Sequence, residues 1–309
     1  MEKDKAGSGA SGRNGSMCTL GITISPAEAR KHYGQPRARD LYDAFREAVD
    51  LAEELTVKEQ IDCDSHRVGR LGVAFKPQHF ESIRAKQRDL GDCFGHDTTL
   101  LSKSDLRAEP GSDYYHGALL DPLSAHLHVG KYDHGLAEAA ELAGAQIHER
   151  KRRHRAAPPP RGFPRRAPAR HHPRHAGHGG HRRLHRQGHA LVPQAATWAR
   201  RGPGSSSPTT AWSCPPIDYV WGGMVGFSFD RVPHAGEDNG LYYSMGYCGH
   251  GIQMATYMGR AMAEVMDGHP QANPMRGFGF PEVPVPFYNG TAWFLPFAGA
   301  YYKAKDRLR

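Results

Sequence analysis

Apolar residues recur along this chain at two periods, and the switches between them mark its elements. Leu41, Phe45, Val49 and Leu55 fall near helical spacing with Glu and Arg between them, which predicts a helix from Arg37 to Gln60. Arg67 to Phe75 (RVGRLGVAF) reads as a strand. Pro77 to Leu90 reads as a helix opened by proline in its first turn. Ser104 to Glu109 predicts a short helix capped by Ser104. Tyr114 to Leu120 is a strand candidate, and Pro122 after it biases Asp121 away from helix. His128 to Ala143 is amphipathic and stops at Gly144, while Ala145 to His148 begins a further strand.

Downstream, Tyr219 to Phe229 is strand-forming, with a turn at Asp230 to His234. Leu241 to Met245 is short, apolar and aromatic, so it predicts a buried strand. Ile252 to Asp267 predicts a helix with Ile252, Ala255, Met258, Gly259, Met262 and Met266 on one face. The Pro- and aromatic-rich end, Pro281 to Arg309, is expected to wrap over the body, because Trp293, Phe294, Phe297, Tyr301 and Tyr302 are too apolar to float free. Alternating strands and helices give an α/β (α+β) class.

Between Leu241–Met245 and the following helix lies a glycine-rich turn with Gly246, Gly249 and Gly251. A strand, a glycine turn and a helix together suit an electron-rich ligand. Glycine lets the ligand approach the main chain, and the first helical N–H groups point at it with the positive end of the dipole. The same glycines also serve simply to turn a corner in a sheet. Gly9 to Ser16 (GASGRNGS) forms a second backbone-rich loop, with Glu2 a few residues before it.

Periodicity disappears between Lys151 and Ser207, which is Arg, His, Pro, Ala and Gly with almost no aliphatic residues. Lys151 to Arg201 holds 14 Lys or Arg and no acid, so the formal +8 of the chain leaves −6 for the remainder. An acidic body with one basic insert describes this better than a nucleic-acid-binding protein. Three readings of the insert remain. It is a nucleic-acid tail, a fortuitous metal-capturing tract through His171, His172, His175, His178, His181, His185 and His189, or a shifted reading frame. For the last, codons exist for Gly180 to Pro193 that, read one nucleotide later, spell ATDGYTGKATPWF.

The five cysteines (Cys18, Cys63, Cys93, Cys214, Cys248) are scattered without a CxxC pair, so no metal site or disulfide framework is expected. No leader or membrane-spanning run is read, which makes a soluble cytoplasmic protein the expectation.

GASGRNGS, YHGALLDPLSAHLH (Tyr115 to His128), DYVWGGMVGFSFDRVPHAG (Asp218 to Gly236), GLYYSMGYCGHGIQMATYMGR (Gly240 to Arg260) and the WFLPFAGAYYKAKDRL end together carry a resemblance. The chain resembles the FAD-dependent oxidoreductases of the D-amino-acid-oxidase-like (DAO) superfamily, in particular gamma-glutamylputrescine oxidase-like members. The resemblance implies a Rossmann-like FAD-binding domain interleaved with a sheet-based substrate domain, both incomplete in this chain. It implies oxidation of a small amine or amino acid by hydride transfer to flavin N5, with oxygen or another acceptor reoxidising the flavin. It assigns cofactor contacts to Glu2, Ser11, Gly12, Arg13, Asn14, Gly246, Cys248, Gly249, His250, Gly251 and Ile252. Glu2 would bind the adenosine ribose. His234 and Tyr247 are candidates for facing the substrate amine, and His250 is a third catalytic candidate. Cys248 admits a covalent thioether as a lesser alternative.

The domain division expected is 1–36 as a remnant of the FAD domain and 37–150 as helices and strands of both domains. Residues 151–216 form the basic low-complexity segment without a fold, and 217–309 the C-terminal FAD-binding portion and tail. No GxGxxG opens the chain, so FAD binding is expected to be weakened. An inactive fragment, or a non-catalytic protein using the His/Arg segment, is the alternative reading.

Overall fold

The computed structural model describes residues 4–106, 113–150, 189–199, 217–288 and 293–307. Its core is a helix pair. Helix α2 (Gln35–Lys58) buries Ala38, Leu41, Tyr42, Phe45, Ala48, Val49 and Ala52, a stripe at three- and four-residue spacing. Helix α6 (Gly251–Met266) packs on it with Met254, Tyr257, Met258, Ala261 and Met262. Each fully buried Leu, Phe or Met in this stripe contributes about 1.5–3 kcal/mol. The Tyr257 hydroxyl donates to Glu47 Oε2 at 2.9 Å and pins one helix to the other.

The buried face of α6 differs from the expected one. Ala255 and Gly259 are exposed and Met266 is half-exposed, while Met254, Tyr257 and Ala261 face the core. Bulk decides the orientation: Tyr257 and Met254 remove far more apolar area from water than Ala255 or Gly259 would.

Helix α1 (Pro26–Tyr33) precedes α2. Ser25 caps it in a reciprocal capping box, with Glu28 reaching back to the Ser25 N–H. Strand β1 (Met17–Cys18) pairs antiparallel with β5 (Ala125–His126). Strand β2 (Arg70–Val73), β4 (Ala118–Asp121) and β3 (Thr99–Leu101) form an antiparallel sheet with β4 central. Helix α3 (Pro77–Phe94) packs on β4 and ends at Gly95, which is left-handed at φ 62°. Short α4 (Lys103–Leu106) is capped by Ser102 rather than Ser104: Ser102 Oγ accepts from Asp105 N at 3.3 Å. Helix α5 (Val129–Leu142) ends before Gly144 as expected. Ala145 to His148 forms no strand.

Strand β6 (His189–Ala199) pairs with β7 (Ile217–Ser228). It lies inside the segment 151–216, whose other residues are outside those described. The three readings of the segment otherwise concern residues outside those described. Strands β8 (His234–Asp238) and β9 (Leu241–Met245) form a hairpin closed by Asn239 and Gly240, both at positive φ. His234 therefore opens a strand rather than closing the preceding turn.

The tail also departs from expectation. Helix α7 (Leu295–Arg307) touches the body through Phe294, whose ring centroid lies 5.9 Å from that of Phe229. Phe297, Tyr301 and Tyr302 stay exposed, with Phe297 at 71%. Among the described residues no helix is long and apolar enough to cross a membrane, and no cluster of His, Cys, Asp or Glu could hold a metal ion.

Candidate functional site

Strand β7 brings two distant stretches together. Its Gly223 lies so close to the N-terminal loop that an added Cβ would meet the Arg13 carbonyl oxygen at 2.7 Å. Three residues on, the Gly226 carbonyl accepts from Cys248 N at 3.1 Å. The loop and the glycine turn therefore sit about 10 Å apart along one strand. Thr23 Oγ1 adds a second tie, donating to the Cys248 carbonyl at 3.3 Å. Buried Gln253 adds a third: its Nε2 donates to Thr19 O at 2.7 Å.

The N-terminal loop is self-braced. Gly12 N donates to Gly7 O at 3.1 Å. A Cβ on Gly12 would meet that same oxygen at 2.2 Å. Asn14 Nδ2 donates to the Ala10 and Ser11 carbonyls, and its Oδ1 accepts from Ser16 N at 2.9 Å. Ser11 and Arg13 are exposed. An open cleft of about 650 Å³ lies against the loop, lined by Asp4, Lys5, Ser8, Arg13 and Arg150. A second, of about 330 Å³, runs between Ser8–Ala10 and Gly222–Met224. Glu2 lies outside the described residues.

At the turn, Gly246 and Gly249 take positive φ (75° and 92°). Cys248 does so too, at 50°, a conformation that costs a non-glycine residue about 1 kcal/mol or more. It is buried, with Sγ 3.0 Å from the Gly246 carbonyl and 3.4 Å from Ser228 Oγ. Burial pushes its thiol pKa up, so the sulfur is protonated at neutral pH and is not the activated thiolate a thioether needs.

His250 is the N-cap residue of α6, yet its side chain makes no cap hydrogen bond to the helix's first N–H groups. Its ring meets Phe45 edge-on at 5.3 Å, and Nδ1 lies 3.5 Å from Thr23 Oγ1. Burial, then the Arg70 and Lys86 charges, drive its pKa down to about 4. His250 is thus neutral at pH 7.

The half-buried Tyr247 gives its hydroxyl to Ser244 Oγ at 2.8 Å, and burial raises its pKa. His234 is 1% exposed. Its Nε2 lies 3.1 Å from Asp230 Oδ1 and its ring stacks on Phe280 at 4.7 Å. The structure thus gathers Gly246 to Ile252 around one turn, and His234, the cross-strand partner of Met245, adjoins it with its ring held by Asp230 and Phe280.

Three observations fit a flavin at this turn. The N–H groups opening α6 have no side-chain cap. A Cβ at Gly249 or Gly251 would meet nothing within 4 Å, so the main chain is open to a planar ring. Gln253 Oε1, on the first turn of α6, is buried without a hydrogen-bond partner among the described residues. Thr19, Thr23, Gly223, Gly226 and Gln253 had no sequence signal as site residues, because each acts through a contact to a distant segment.

The chain is similar to several known proteins. The chain is 26% identical over 375 residues to gamma-glutamylputrescine oxidoreductase of Escherichia coli K12, covering 100% of this chain and 87% of that protein. A probable oxidoreductase OrdL of Haemophilus influenzae is 32% identical over 48% of this chain and 35% of its own length. Glycine oxidase of Geobacillus kaustophilus shares the fold with a TM-score of 0.65 and 17% identity, over 91% of this chain and 90% of that one. L-Amino acid deaminase of Proteus vulgaris does so at 0.61 and 13%, over 94% and 86%. The family model for FAD dependent oxidoreductases (DAO) matches residues 1–165 and 170–265, most of the chain, and the protein belongs to that family.

Proposed function

We propose that this FAD-dependent oxidoreductase oxidises the carbon–nitrogen bond of a small amine or amino acid, and passes the electrons to oxygen or another acceptor. The observation that carries the reading is the convergence of loop and turn on β7, at Gly223 and Gly226. The names of the E. coli relative and of the two structural neighbours supply the substrate class.

FAD, when bound, would supply the hydride acceptor for the carbon bearing the amine, leaving an imine for water to hydrolyse. The residues of the chain do the rest. Gly251, Ile252 and Gln253 present N–H groups at the positive end of the α6 dipole, where negative charge develops on reduction. Gly249 and Gly251 leave room for the ring to reach that backbone. Ser11, Gly12 and Arg13 border the clefts where the rest of the cofactor would lie, and Asn14 holds their loop closed. His250, neutral at pH 7, adds shape and a lone pair without a competing charge. His234, paired and stacked, holds the hairpin rather than the substrate. Hydride loss requires a neutral amine, so the rate follows the free-base fraction of the substrate.

Purified protein tests this. Bound flavin gives a visible absorption band, and anaerobic amine or amino acid bleaches it. A chain that retains no flavin, or whose flavin is bleached by hydroxy acids and not by any amine, overturns the reading.

A further inference from the structure

Helix α7 is fixed at its start and shows its rings to solvent. Phe294 ties it to the body, with its ring centroid 5.9 Å from Phe229 and 6.3 Å from Tyr288. Leu295 and Ala298, in the first turn, are half-buried. Trp293, just before the helix, meets Phe297 edge-on at 6.5 Å. Tyr301 follows Phe297 one turn later on the same side. Lys305 follows one turn after that, with its Nζ 6.0 Å from the centre of the Tyr301 ring. Tyr302 packs edge-on against Tyr301 at 5.3 Å. Trp293 is 47% exposed, Tyr301 61% and Tyr302 65%.

Cations gather at the far end of the same helix. Residues 303–309 carry four Lys or Arg against one acid, although the chain outside the basic insert is acidic. This pairing of exposed rings with cations decides what covers the face. The centre of a protein interface is depleted of lysine. A second copy pairing through the same face would set like charges together. An anionic lipid surface suits both halves. Trp and Tyr rings settle among the headgroups, and lysines lay their stems along the apolar boundary while their charges reach the phosphates. The 13 residues of α7 span about 20 Å, short of a hydrocarbon core of about 30 Å, so the helix lies in such a surface and does not cross it.

We propose that α7 is an interfacial anchor that lays Trp293, Phe297, Tyr301 and Tyr302 into the headgroup layer of an anionic phospholipid bilayer, with Lys303 and Lys305 on its phosphates. The protein then works at a membrane surface that it does not span. This goes beyond the amine-oxidising reading and stands or falls separately from it.

Flotation of the purified full chain tests this, with vesicles of phosphatidylcholine alone or in equal parts with phosphatidylglycerol. Native protein should bind the mixed vesicles far more tightly than the neutral ones. Its tryptophan emission should move to shorter wavelength on binding, and Trp293→Phe should remove that shift. A ring variant (Phe297→Ser with Tyr301→Ser) and a lysine variant (Lys303→Gln with Lys305→Gln) should each bind about tenfold or more weakly. Native protein that fails to bind the mixed vesicles, or binds neutral ones equally well, overturns the proposal. Binding within about twofold of native in the ring variant also overturns it, and assigns the attachment to the basic insert between Lys151 and Arg201. So does self-association of the native chain that the ring variant loses, with no vesicle binding by either, which makes the face an interface between copies. Phe297, Tyr301 and Lys303 are exposed, so both variants should unfold at the native temperature. The lysine variant alone decides the matter if the ring variant misfolds: unchanged binding there overturns the anchor.

Discussion

Gln253 donates its amide to the Thr19 carbonyl at 2.7 Å, which joins the first turn of α6 to the chain just after β1. Both residues are buried. Replacing Gln253 with Met keeps the bulk and removes the donor. The Thr19 carbonyl is then left buried and unpaired, and stability should fall by about 1–3 kcal/mol. Denaturant unfolding of the two proteins measures this, and an unchanged midpoint would remove the tie from the account.

His250 has a folded-state pKa of about 4, below its ordinary 6.5. A histidine whose pKa is lowered by folding binds fewer protons folded than unfolded between those values, so its contribution is complete above about 6.5 and is lost as the pH falls toward 4. Asp121 and Asp230 are lowered as well, and their contributions are lost only at lower pH, below their ordinary 3.8. Glu28, lowered from 4.5, joins them at the acid end, so the slope of stability just below pH 6.5 is the part assigned to His250. The His250→Asn protein should lose most of that slope, as read by unfolding at each pH.

Phe45 is 1% exposed and carries both the α2–α6 core and the edge contact to His250. Phe45→Ala should cost about 3–5 kcal/mol, and Met258→Ala, in the same cluster, about 2–5. Thermal unfolding separates them from site effects: Met258→Ala should leave the flavin spectrum of the folded fraction unchanged, and Phe45→Ala should perturb it.

Gly12 and Gly9 share one loop and differ in space. A Cβ on Gly12 would overlap the Gly7 carbonyl oxygen, whereas one on Gly9 meets nothing within 4 Å. Gly12→Ala should force the loop open and lower flavin occupancy about tenfold or more, and Gly9→Ala should retain it. Equal occupancy in the two would detach the loop from the cofactor.

Long, strongly patterned elements were legible in the sequence. Helices α2, α3 and α6 were found because their apolar spacing runs over several turns. The face of α6 was misjudged because Ala255 and Gly259 count as apolar without having much surface to bury. Helix α1 was missed although Ser25, Pro26 and Glu28 spell a capping box, since eight residues give little periodicity. The β8–β9 hairpin was missed despite Asn239-Gly240. At the site, the glycine turn could be read because its chemistry is local. Its supports could not. Thr23 bonds Cys248 across 225 residues, and nothing in either neighbourhood announces the other.

That separation carries a consequence for biogenesis. The seat around Gly246 to Ile252 needs β7, the N-terminal loop and the Thr19–Thr23 segment at once. During synthesis the amino-terminal parts leave the ribosome long before α6 exists. At about 5–20 residues per second they wait on the order of ten seconds or more with their contact surfaces uncovered. Contacts this far apart in sequence also close slowly. A cofactor held at this turn would find its seat complete only after α6 has emerged, and the nascent chain depends until then on whatever keeps its apolar surfaces from associating.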